Sequence, residues 1–128
     1  MHKWIMITGV VFSILSVILG AFAAHALKER LTEYSLNVFQ TGVQYQSIHG
    51  IALLLCGLFA THLKNQSEQT FTWLTLTASL FILGIVCFSG SLYGLALTSQ
   101  KWFGPITPIG GVFFILGWIC FLVAIVKS

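Results

Sequence analysis

Apolar residues predominate along four stretches of this chain, at about 4–26, 36–63, 70–97 and 108–126, and no Asp, Glu, Lys or Arg falls inside any of them. A hydrocarbon core about 30 Å thick takes around 20 apolar residues per helix, so each stretch is long enough to cross a bilayer. The pattern predicts an all-α fold, an integral membrane four-helix bundle in a single transmembrane domain. Short polar connectors separate the stretches: Lys28 to Glu33, Asn65 to Gln69, and a last one holding Lys101, Trp102 and Gly104-Pro105. Pro108 opens the fourth span, where proline suits a first helical turn.

The second stretch is lopsided. Its first half carries Asn37, Gln40, Thr41, Gln44, Tyr45, Gln46, Ser47 and His49, whereas Ile51 to Ala60 is almost wholly apolar. The third begins apolar and reaches Ser89-Gly90-Ser91-Leu92-Tyr93-Gly94 towards its far end. With four spans alternating in direction, His25, the glutamines of span two, this serine-glycine run and Thr107 to Gly111 all fall on one side. Polar chemistry is therefore expected in one half of the bundle, the other half being nearly pure hydrocarbon with Trp4 and Trp73 at its margin.

Small residues form a second pattern. Gly9, Ser13, Ser16 and Gly20 share a face of span one, and Gly84, Cys87, Ser91 and Gly94 a face of span three; Gly50 and Gly57, and Gly110 and Gly117, recur in the others. Lipid gives helices no hydrophobic drive to pair, so close approach through small residues is the expected means of association, in a left-handed bundle.

Composition agrees with this solvent. Charged residues are 7% of the chain and hydrophobic ones 57%, which leaves too little polar surface for a water-facing exterior. The formal charge of +3 is spread singly through tails and loops, so neither nucleic acid nor strongly held anionic lipid is expected as a specific partner. Lys3, Lys64 and Lys127 lie on the terminal side and Lys28, Arg30 and Lys101 on the loop side, an even split that leaves orientation open. The amino terminus, with Glu29 and Glu33, tilts the expectation to cytoplasmic termini. The end of span one imitates a signal-peptidase site, but the apolar run exceeds a secretory h-region, so a retained anchor is expected.

Cys56, Cys87 and Cys120 each sit alone in an apolar segment, which suits small buried hydrophobes better than a disulfide or metal pair. No carboxylate or thiolate accompanies a histidine, so no metal is predicted, and His25 with His49 makes a poor haem pair because their depths differ. No cofactor is predicted. Ser-His-Asp catalysis needs an acid to orient the imidazole, and the chain has no Asp and only loop glutamates, so no enzyme is expected.

His49 lies well inside span two, about 20 Å of helical rise from its start. An ionisable group at such depth is by default a site hypothesis. Gly42, Tyr45 and Gln46 neighbour it at helical spacing, and Gln40 with Gln44 forms an adjacent stripe. The preferred reading is structural: these side chains bond to Ser89, Ser91, Tyr93 or backbone carbonyls across the bundle and fix helix register. The functional reading gathers His25, Gln44, Tyr45, Gln46, His49, Ser89, Ser91 and Tyr93 into a site for a small amphipath, such as a lipid head group or quinone, held by neutral hydrogen bonds.

Four runs bring the chain close to a known family: Gly20-Ala21-Phe22-Ala23-Ala24-His25-Ala26-Leu27, Phe39-Gln40-Thr41-Gly42-Val43-Gln44-Tyr45-Gln46 with His49, Phe88-Ser89-Gly90-Ser91-Leu92-Tyr93, and Ile106-Thr107-Pro108-Ile109-Gly110-Gly111. In order and spacing the chain resembles the YgdD-type family of small bacterial inner-membrane proteins, a domain of unknown function with mitochondrial transmembrane relatives in animals. The resemblance implies a four-helix protein of the bacterial inner membrane and supplies no catalytic residues. The expectation is thus a non-enzymatic membrane subunit or a protein binding lipid or a small amphipath, homo-oligomeric or attached to a larger membrane complex. The alternative is an oligomeric transporter or channel for a small neutral or weakly acidic solute.

Overall fold

Thr32 and Ser67 start the second and third spans in the same way. In the computed structural model, which describes residues 2–62 and 67–128, Thr32 Oγ1 accepts from the Ser35 backbone N–H at 3.1 Å and Ser67 Oγ from the Thr70 N–H at 3.3 Å. Each hydroxyl pairs an amide hydrogen that the first helical turn leaves without a carbonyl.

From these starts the chain builds α1 (Lys3–His25), a 3-10 turn (Leu27–Glu29), α2 (Glu33–His62), α3 (Glu68–Gly84), a π-helical turn (Ile85–Ser89), α4 (Gly90–Thr98), a second 3-10 turn (Lys101–Phe103) and α5 (Ile106–Lys127). Four helical stretches, Lys3–His25, Glu33–His62, Glu68–Thr98 and Lys101–Lys127, are long and apolar enough to span a membrane. The fold is the all-α membrane bundle that the charge-free stretches predicted. Span two starts earlier than its apolar pattern suggested because Thr32 caps it ahead of Leu36. Its predicted end at Leu63, with Lys64, Asn65 and Gln66 of the next connector, lies outside the described residues. Pro108 stands in the first turn of α5, where its missing N–H costs no helical bond.

Helix α1 packs mainly on α2, and α3 mainly on α5; α2 joins the two pairs by resting against α4 and the π turn. Glycines set these distances. A methyl group on Gly9 would stand 2.7 Å from the Gly50 carbonyl oxygen, and one on Gly110 would run into the Phe88 backbone in the π turn. Backbones meet at both places because neither position carries a side chain. Along span three, Gly84 receives the Phe114 ring, Ser91 meets Thr107 and Gly94 receives Phe103, so its small residues do face the fourth span.

Two apolar clusters result. One gathers Ile5, Leu53, Cys56, Leu74, Phe81, Phe114 and Phe121. The other, at the loop end, gathers Ala23, Leu27, Phe39 and Ala96. Of the buried polar residues, Gln46, His49, Ser89 and Ser91 lie between them along α2 and span three, while Ser16 is on α1 and Thr70 and Thr77 are on α3. On the 30-residue α2, Gln46 and His49 fall at the centre, while Ser89 and Ser91 stand past the midpoint of Glu68–Thr98 and Ser91 meets Thr107 in the first turn of α5, so the polar groups reach from mid-bundle into the loop-side half that the sequence pattern pointed to. Cys56 is buried, with its thiol towards the Leu74 carbonyl at 3.5 Å, whereas Cys87 and Cys120 are half-buried.

Candidate functional site

Gly42, Gln46 and His49 succeed one another on the inward face of α2 at the four- and three-residue steps that align side chains along a helix. Gln46 uses both ends of its carboxamide: Nε2 donates to the Phe12 carbonyl of α1 at 2.9 Å, and Oε1 accepts from the Tyr93 hydroxyl of α4 at 2.7 Å. One side chain therefore ties three helices together. Ser89 donates to the Gly42 carbonyl at 2.7 Å. Tyr93 reaches Gln46 by crossing Gly42, where a methyl group would stand 2.7 Å from its ring. On the other side of α4 the Ser91 and Thr107 hydroxyls meet at 2.6 Å, fixing the start of α5.

Helical spacing divides these contacts. Ser89 and Tyr93 face α2, while Ser91 faces α5. The π turn at Ile85–Ser89 adds a residue to the turn before α4 and so rotates α4 as a whole relative to α3; such turns recur at functional sites.

His49 stands at the junction of α2, α3 and α5. Its Nδ1 lies 2.7 Å from the Tyr45 carbonyl, and its Nε2 lies 3.0 Å from the indole Nε1 of Trp118. Indole nitrogen only donates, so Nε2 is the acceptor and the ring proton sits on Nδ1, directed at Tyr45. Phe114 stacks on the imidazole with centroids 3.6 Å apart, and the Phe81 ring meets it edge-on at 5.2 Å. Both imidazole nitrogens are thus occupied within the chain.

Beside this histidine a groove of about 340 Å³ opens laterally between α2 and α5, lined by Tyr45, His49, Phe88, Gly111, Phe114, Ile115 and Trp118. Its walls are aromatic: the Tyr45 ring lies 4.7 Å from Phe88 and 6.2 Å from Phe114. The Tyr45 hydroxyl makes no hydrogen bond among the described residues, so it is the polar atom left available to an occupant.

Of the residues singled out from sequence, Gln46 pairs with Tyr93, Ser89 bonds the Gly42 carbonyl one turn away on α2, Ser91 pairs with Thr107 on the other side of α4, and His49 and Tyr45 line the groove. The structure does not bring His25 or Gln44 to them. Both are exposed, His25 at the end of α1 and Gln44 on the outer face of α2. Sequence reasoning missed Trp118 and Phe114. A signal existed for the first: Trp118 falls mid-span, away from the interface where tryptophan usually sits, and an indole N–H at that depth needs an acceptor. No polar signal marked Phe114.

A family model described as "Protein of unknown function (DUF423)" matches residues 19–111. The UPF0382 membrane protein YwdK of Bacillus subtilis (strain 168) is 42% identical over 98% of this chain and 98% of its own length. A UPF0382 membrane protein of Staphylococcus aureus (strain bovine RF122 / ET3-1) is 39% identical over 98% of this chain and 97% of its own. The UPF0382 inner membrane protein YgdD of Escherichia coli (strain K12) is 36% identical, covering 98% and 91%. No solved structure matches the chain.

Proposed function

Since the chain belongs to the DUF423 family of membrane proteins, we propose that it is a non-catalytic protein of the bacterial plasma membrane that holds a lipid-soluble planar amphipath, of the quinone type, in the groove between α2 and α5. One observation carries this reading: four aromatic rings surround a laterally open recess in which the Tyr45 hydroxyl has no partner among the described residues. Aromatic walls suit a flat ring by offset stacking, and a phenol can donate to a ring carbonyl. An apolar tail would lie along the outer face of α5, where Val112, Ile115, Ile119 and Leu122 are exposed. Entry from the bilayer needs no aqueous path.

Gln46, Ser89, Ser91 and Tyr93 are satisfied by one another, by Thr107 and by backbone carbonyls. That favours a structural role for them, and binding over conduction, which would need polar groups free to line a path. His49 has no free nitrogen, and Glu29, Glu33 and Glu68 stand exposed at helix ends, so no acid-base pair is assembled for catalysis among the described residues.

The test is a titration of short-chain quinone into the protein in lipid nanodiscs, read by tryptophan fluorescence, in the wild type and in Gly111→Leu. A Cβ at Gly111 meets only the Phe88 ring, at 3.9 Å, and Gly111 lines the groove, so leucine there starts clear of other backbone and extends into the recess. The expected result is saturable quenching in the wild type and linear, collisional quenching in G111L. Identical curves would reject the proposal.

A further inference from the structure

The outer faces of α1 and α5 are what lipid contact requires: Ile7, Val10, Ile14 and Ile18 on the one, Val112, Ile115, Ile119 and Leu122 on the other, all exposed and all apolar. Helix α2 differs. Gln40 and Gln44 are exposed on its outer face, and neither side chain makes a hydrogen bond among the described residues. Gln44 stands about 17 Å of helical rise into a helix some 45 Å long, which places its carboxamide inside a hydrocarbon core about 30 Å thick. An amide turned to acyl chains at that depth lacks any partner that water would supply nearer the surface.

The stripe continues in line. Ile48, Ile51 and Leu55 extend it from Gln40 and Gln44 at steps of four and three, all exposed, with no charged residue among them. Such spacing makes one straight seam along a helix, of the kind that pairs with an identical seam.

We propose that this stripe is the contact face for a second copy of the same chain, joined α2 to α2 about a twofold axis along the membrane normal. Three features select a copy over another partner. Two molecules inserted with the same orientation present parallel α2 helices, so each residue near the axis meets its own counterpart at equal depth. A carboxamide is both donor and acceptor, which lets Gln44 pair with Gln44 of the other copy. The stripe holds no cation or carboxylate, so it does not select a partner of opposite charge. Amides here also fix register, since sliding by one turn would return them to hydrocarbon. The groove on the Tyr45 side of α2 stays open, so this contact and ligand binding are independent.

The experiment places a photo-crosslinking benzoylphenylalanine at Ile51, or at Ile119 on the outer face of α5, in the full chain in native membranes. A covalent product of twice the chain mass is expected from the Ile51 position and not from Ile119. In the double variant Q40L/Q44L that product falls roughly tenfold at equal protein density. Leucine on an outer face adds apolar surface, so the variant still inserts; the wild-type crosslinks stand as a test without it. The proposal is overturned by absence of a chain-to-chain product at Ile51, by equal product at Ile119, by capture of a different protein at Ile51, or by product undiminished in Q40L/Q44L.

Discussion

The indole Nε1–H of Trp118 donates to His49 Nε2 at 3.0 Å and so joins two helices through residues 69 positions apart in sequence. Replacing Trp118 with Phe keeps an aromatic ring in the groove and removes the donor, leaving a buried acceptor unpaired. Interhelical hydrogen bonds in membranes are worth about 0.6 kcal/mol on average and up to about 1.7. Trp118→Phe is therefore expected to lower stability by about 1 kcal/mol, measured by reversible unfolding in mixed detergent micelles.

Gln46 and Tyr93 are coupled directly, and Gln46 also holds the Phe12 carbonyl. Tyr93→Phe removes one bond and is expected to cost about 1 kcal/mol. Gln46→Leu removes both and is expected to cost more. In a double-mutant cycle the two losses are less than additive by roughly 0.6–1.7 kcal/mol, because each single variant already breaks the shared bond.

Adjacent glycines in α5 have opposite sensitivities. A methyl group on Gly110 collides with the Phe88 backbone, whereas one on Gly111 meets only the Phe88 ring at 3.9 Å. Gly110→Ala is expected to destabilise by about 1–3 kcal/mol through overpacking. Gly111→Ala is expected to be neutral or stabilising by up to about 1 kcal/mol, since alanine is the better helix former. Thermal melts of the two variants in one detergent compare them directly.

Removing the Tyr45 hydroxyl separates stability from binding. It bonds to nothing among the described residues, so Tyr45→Phe is expected to change stability by less than about 0.5 kcal/mol. If the phenol donates to a ring carbonyl of the ligand, the same change weakens quinone binding about three- to tenfold, the equivalent of one hydrogen bond. Equilibrium titrations of wild type and Y45F in nanodiscs provide the comparison.

Much of this arrangement was legible in the sequence because bilayers impose simple constraints. Stretches without a charge marked the four spans, and glycine spacing marked the faces at which Gly9 meets Gly50 and Gly110 meets Phe88. Helical spacing also aligned Gly42, Gln46 and His49 before any partner was known. The partners themselves were harder to read. Trp118 lies 69 residues from His49, and no local periodicity connects them. The π turn at Ile85–Ser89 has no residue signature, though an extra residue in a turn rotates α4 as a whole relative to α3. Gln44 illustrates the limit: spacing put it in a stripe with Gln40, but which stripe faces inward depends on where the neighbouring helices pack.

The most direct measurement is a high-resolution density map of the wild-type protein extracted together with its native lipids. Binding in the groove predicts an ordered planar feature between Tyr45 and Trp118, with a polar atom at hydrogen-bonding distance from the Tyr45 hydroxyl and a tail along α5. Acyl-chain density there no different from that on the outer face of α1, or aromatic side chains closed over the recess, would contradict it.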